Sequence, residues 1–233
     1  MAAVFCIVKN NLPMRNRLHF LFVLLLIILP ALNAAAHGNH QHTKAEKAVL
    51  KAFTAYRSAL TKQNGKKAVK YIAQNTIDYY AQMLEHARNS DSATVAGLHV
   101  MDKLLVLSFR NRVDKNKLLV MTPTEAVIYA IDKGMVGKEG LSNIELGDID
   151  IKNKQAKAQV LIDDRPVPLE FVFYNEKKRW KIDLTAFFPM AEMAISQTAK
   201  ELEMTETELV EFMLKLVEPN TLNPKLWLPV AKW

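Results

Sequence analysis

Three of the chain's six histidines, His37, His40 and His42, fall within six residues. Imidazole suits copper, zinc and nickel. A chain that began at His37 would offer its terminal amine and ring nitrogen to one ion, with His40 and His42 in reach. A copper or zinc ion at that terminus is one expectation; a polar leader without the supporting shell that orients ligands is the other. His99 and Asp102 stand one helical turn apart. With Tyr79 or Tyr80 they form an acid–base set if they face a cavity, and a solvent-facing pair if they do not. Arg110, Arg112, Lys115 and Lys117 cluster about a helix end, where cations complement the helix dipole or meet an anionic ligand or surface. Asp163-Asp164 reads as turn chemistry. The chain carries no G-x-S-x-G, H-E-x-x-H, phosphate loop or dinucleotide fingerprint. Its one cysteine, Cys6, leaves the rest without a disulfide or thiolate site.

These residues need elements to hold them. Thr43-Lys44-Ala45-Glu46 predicts a capping box. A helix follows with Val49, Ala52, Phe53, Tyr56 and Leu60 on one face, and Asn64-Gly65 is expected to end it. Thr76 is expected to cap a helix carrying Tyr80, Met83, Leu84 and Ala87. A further helix is predicted over 93–112 with Leu98, Met101, Leu105 and Phe109 aligned. Asp114-Lys115-Asn116-Lys117 reads as a turn, and Thr122-Pro123-Thr124-Glu125 as a second capping box whose helix stops at Gly134. The period then drops from 3.6 to 2. Four strands are expected around Ile144–Ile151, Ala156–Ile162, Val167–Phe173 and Trp180–Leu184, with a bulge at Gly147. Turns this short make the strands antiparallel. Helix returns after Phe187-Phe188-Pro189, with a third capping box at Thr205–Glu208. Trp227 and Trp233 in the tail read as staples to the body or as anchors for a partner.

The order of helices followed by a meander, with Phe171-Val172-Phe173-Tyr174-Asn175-Glu176 and Trp180-Lys181-Ile182-Asp183-Leu184, resembles the nuclear transport factor 2-like, or cystatin-like, superfamily. The resemblance covers residues 45–188. It implies a curved sheet wrapped on a long helix, leaving a conical cavity. Tyr56, Tyr80, Tyr129, Phe171, Phe173 and Trp180 would line or fill that space, with Tyr71 beside them. The resemblance does not select a function, because enzymes, binding proteins and interaction modules share the fold. The chain departs from compact members by additional helix before and after the sheet.

Residues 1–36 carry Lys9, Arg15 and Arg17 without an acidic residue, then an apolar run from Phe20 to Leu29 and Asn33-Ala34-Ala35-Ala36. This is the pattern of a secretory signal peptide cut between Ala36 and His37, starting at Met1 or Met14. The apolar run is too short to span a bilayer. The 233-residue chain has a formal net charge of +7. Residues 37–113 hold 12 basic and 5 acidic residues, and residues 114–233 hold 16 and 19. The positive half is expected to face an anionic surface or the other half of the fold; the modest charge after cleavage, the lack of a nucleic-acid motif and export argue against nucleic acid.

The reading is therefore an α+β protein: several helices packed on a curved antiparallel sheet of about four strands, with an additional C-terminal helical region. Its divisions are a signal peptide (1–36), a flexible His-containing leader (37–43), the α+β domain (44–188), and the helical extension and Trp-containing tail (189–233). The expected location is the periplasm or the medium, with no transmembrane segment after processing. Three functions stay open. The first is a non-enzymatic binding or accessory protein with an apolar or amphipathic ligand between helices and sheet. The second is an isomerase- or dehydratase-type enzyme using His99, Asp102 and a Tyr. The third is an interaction subunit with an envelope protein partner. The oligomeric state is left open.

Overall fold

The computed structural model describes residues 42–136, 141, 143–217 and 222–233. The signal peptide, its cleavage site and the expected ligands His37 and His40 lie outside the described residues. The fold is α+β, with nine α-helices among the described residues and one four-stranded antiparallel sheet. Helices precede the sheet, and a second helical region follows it.

Helix α1 (Lys44–Thr61) opens on the capping box: the Thr43 amide donates to Glu46 at 2.8 Å, and the Glu46 amide donates back to Thr43 Oγ1 at 3.2 Å. Its buried face holds Val49, Ala52, Phe53, Tyr56, Ala59 and Leu60. The chain leaves α1 through Gln63, whose φ of 48° is left-handed, not through Gly65 as expected. Gly65 instead begins helix α2 (Gly65–Ala68). There a Cβ would stand 2.5 Å from the Ile128 carbonyl oxygen, so glycine is needed for close helix approach. A 3₁₀ turn (Val69–Tyr71) leads to helix α3 (Gln74–Asn89), which starts two residues before Thr76. That hydroxyl points instead to Asp183.

The helix expected over 93–112 is two helices, α4 (Ser92–Ala96) and α5 (Val100–Arg112), parted at Gly97. Residues read as a turn form helix α6 (Lys115–Val120), because the Asp114 carboxylate accepts the amides of Asn116 and Lys117 and so starts a helix. Helix α7 (Pro123–Asp132) has its capping box and ends at Gly134, φ 66°.

The sheet is a meander of β1 (Ile144–Lys152), β2 (Gln155–Ile162), β3 (Arg165–Glu176) and β4 (Arg179–Asp183), in that spatial order. The β1–β2 register slips between Leu146 and Ile149, at the expected bulge. A second slip pairs Gln159 with Glu170 but Val160 with Val167, so β3 carries two extra residues there. Asp163-Asp164 and Lys177-Lys178 both have positive φ, the twist that tight hairpins require. Ala156, Ala158, Phe171, Phe173 and Ile182 form the buried face, covered by α1 with Phe53 and Phe171 rings 5.1 Å apart.

Helix α8 (Phe188–Glu201) and helix α9 (Glu206–Val217) follow a 3₁₀ turn (Leu184–Phe187). Both pack on α5, and the tail ends in a 3₁₀ turn (Val230–Lys232) against α3 and α6. No helix among the described residues is long and apolar enough to cross a membrane.

Candidate functional site

The six aromatic residues expected between helices and sheet divide by burial. Tyr56, Tyr80, Phe171, Phe173 and Trp180 are buried, and Tyr129 is half-buried. The ring contacts among them and their neighbours fall into two groups. Phe171 meets Phe173 at 6.4 Å and Phe187 at 4.6 Å, and Tyr80 meets Tyr79 at 5.9 Å and Phe109 at 6.1 Å. Phe171 and Phe173, with Phe53 of α1, fill the space between α1 and the sheet, whereas Tyr80 of α3 packs on Phe109 of α5. One polar atom in this layer stands apart. The Tyr56 hydroxyl is buried and has no hydrogen-bond partner. Burial first, and then the neighbouring Tyr80, push its pKa well above the ordinary tyrosine value.

The acid–base set comes together in part. Tyr79 donates to Asp102 Oδ1 at 2.7 Å, and its ring lies 4.7 Å from Phe188. Burial, then the bond to Asp102, raise the Tyr79 pKa strongly. This phenol is therefore a fixed hydrogen-bond donor at neutral pH, not a proton acceptor. His99 is exposed at the start of α5 and caps none of its amides. Tyr80 is buried, and burial raises its pKa as well.

The basic cluster is dispersed by the fold. Arg110 is fully buried. It donates to the carbonyls of Ala87 and His86 at 2.9 Å each, to Ser90, and to Leu226 at 3.4 Å. Burial lowers its pKa to about 10, so it stays charged at neutral pH. Lys115 donates to the main-chain oxygen of Trp233, and Lys117 lies 4.9 Å above the Tyr129 ring. The Tyr129 hydroxyl donates to the Arg112 carbonyl at 2.7 Å. Arg110, Lys115 and Lys117 thus tie helix ends and tail together.

Two buried charged residues escaped the sequence reading. Asp183 accepts from Thr76 Oγ1 at 3.1 Å, Asn75 at 3.2 Å, and the Thr185 amide and hydroxyl at 3.0 and 2.7 Å. It joins the end of β4 to the first turn of α3. Lys103 is buried on α5 and donates to Thr207 of α9 at 3.1 Å. Only the Ile-Asp-Leu step out of β4 could have signalled Asp183; alternation broken by a carboxylate marks a strand end. Nothing in the spacing marks Lys103.

His42 lies 3.4 Å from Glu46 within α1's capping turn. No group of three or more metal-ligating side chains occurs among the described residues. A groove of 680 Å³ lies on the outer face of the sheet, lined in part by Asp148, Asp150, Lys157, Phe187 and Met190. It is open to solvent. The Trp227 indole donates to Glu211 at 2.8 Å, and the Trp233 indole to the carbonyls of Lys225 and Leu228 at 3.1 Å. Met193 is 72% and Val120 77% exposed, and Met190, Phe212 and Leu228 are also exposed. The chain matches no family model, no curated protein and no solved structure.

Proposed function

We propose that this chain is an exported, non-enzymatic accessory protein that works through its surface, as an interaction subunit of the cell envelope. The observation that carries this reading is the interior packing. Phe171, Phe173 and Tyr80, which would have lined a ligand space, pack against neighbouring rings, and buried polar side chains around them are tied into structure, although the Tyr56 hydroxyl is unpaired. Tyr79 and Asp102 satisfy each other, Asp183 holds a strand to a helix, and Arg110 holds helix ends to the tail. The exposed apolar side chains Met190, Met193, Phe212 and Leu228 lie on the C-terminal helical region and the tail. Leu119 and Val120 on α6 are exposed as well, and exposed apolar side chains are what a partner would cover.

The export part rests on the basic, apolar and small-residue order of residues 1–36, and it places the protein in the periplasm or the medium from His37 onward. The resemblance to the nuclear transport factor 2-like superfamily rests on the helix-then-meander order and supplies no activity of its own.

Native mass spectrometry of the protein isolated from its own envelope or secreted fraction tests the reading. The expected species has the mass of residues 37–233 and carries no stoichiometric small molecule. A retained apolar ligand would overturn the surface reading and restore the ligand-binding one. A mass including residues 1–36 would overturn processing.

A further inference from the structure

Among the described residues, α1 and the turn after it carry a dense run of positive charge. Residues 44–70 carry eight basic residues and one acidic residue. Lys44, Lys47 and Lys51 recur at helical spacings of three and four, and Thr54, Ser58 and Lys62 continue the same line; all six are exposed. The stripe runs the 18 residues of the helix, about 27 Å at the helical rise. The acidic residue, Glu46, is held in the capping box by the Thr43 amide. Lys66, Lys67 and Lys70 add exposed charge just beyond. The opposite face of α1 is buried on the sheet, so the helix cannot roll an apolar side outward.

We propose that this exposed face of α1 docks the protein on an anionic lipid bilayer. The argument is charge complementarity. Lys44, Lys47 and Lys51 on the first turns, and Lys62, Lys66, Lys67 and Lys70 past the helix end, each a flexible point charge, suit a diffuse negative surface. The helix's one arginine, Arg57, already donates to the Ile144 carbonyl and lies 5.5 Å from the Phe53 ring. Single-stranded nucleic acid would be met by exposed aromatic rings for base stacking, but Phe53 and Tyr56 are buried. A protein partner would be met by exposed apolar anchors, and this stripe has none. Binding is electrostatic throughout and therefore sensitive to salt.

Purified full-length protein is sedimented with vesicles of phosphatidylcholine alone, or containing about one-third phosphatidylglycerol, a content that sets the negative surface potential. Expected is retention on the anionic vesicles at low salt and release at about 0.5 M NaCl. The Lys47→Glu/Lys51→Glu/Lys62→Glu variant should lose about a hundredfold in partitioning, at about fivefold for each lysine. A control variant, Lys154→Glu/Lys177→Glu/Lys178→Glu, changes exposed hairpin lysines and should bind like the unaltered chain. Circular dichroism confirms that both fold. Retention on neutral vesicles reads the contribution of the apolar run at residues 20–29 and is subtracted. Equal binding by the stripe variant, equal loss in the control, no preference for anionic vesicles, or tighter binding to DNA than to them would each overturn the proposal.

Discussion

Tyr56 and Arg110 are both fully buried and polar, but they contribute in opposite directions. Tyr56 is 1% exposed and its hydroxyl is unpaired. An unpaired buried hydroxyl costs ~1–3 kcal/mol, so Tyr56→Phe should leave stability unchanged or raise it by ~1 kcal/mol or more. Arg110 is 0% exposed and satisfies four main-chain carbonyls. Arg110→Met keeps the bulk but takes a donor from each, the His86 carbonyl keeping the Ser90 amide, so stability should fall by ~3 kcal/mol or more. Urea unfolding of the two variants measures the contrast; a loss on Tyr56→Phe equal to that on Arg110→Met would show that the hydroxyl is satisfied. Residue type alone made Tyr56 legible as core and Arg110 legible as a helix-end cation. Whether each has a hydrogen-bond partner depends on segments far along the chain: Leu226 lies 116 positions from Arg110. No local pattern encodes that distance.

Elements read well where a local signal terminates them. All three capping boxes form, at Thr43, Thr122 and Thr205, and the four strands appear in the expected order with the bulge by Gly147. Two of the misreadings share one cause: a tertiary contact overrode a local preference. Gly65 serves the approach of α2 to α7 rather than the end of α1, and Thr76 serves Asp183 rather than a cap. The capping boxes also set a pH dependence. Hydrogen bonds from the Thr122 amide and hydroxyl hold the Glu125 carboxyl below its ordinary 4.5, and Thr205 does the same for Glu208. A carboxyl lowered in the folded state stabilises it above the unfolded pKa, and that stability is lost as pH falls through the folded value. Thermal stability should therefore decline as pH drops below 4.5. A Glu125→Gln/Glu208→Gln variant should start lower at neutral pH and decline less steeply. Parallel pH profiles for the two proteins would remove these carboxylates as the cause.

At the scale of the molecule, the question is whether the helices after the sheet form an appendage or part of one cooperative unit. The contacts favour one unit. Leu209, Val210 and Leu214 of α9 are buried, Lys103 of α5 reaches Thr207, and Leu226 and Val230 of the tail are buried. The Asn223 amide donates to Asn111 at 3.0 Å, and Arg110 grips Leu226. Removing this region would expose the apolar side of α5 and strip a carbonyl partner from a buried guanidinium, both costly. The three tryptophans permit a direct test, since Trp180 reports on the sheet and Trp227 and Trp233 on the tail. One variant retains Trp180 with Trp227 and Trp233 changed to Phe; the other retains Trp227 with Trp180 and Trp233 changed. In each, indole fluorescence and far-ultraviolet circular dichroism should follow one urea transition with a common midpoint. A tail signal lost at lower urea than the helical signal of the same variant would show that the C-terminal region unfolds on its own. The surface on which Met193 and Phe212 sit would then be a detachable arm, and the partner-binding region would not need an intact sheet.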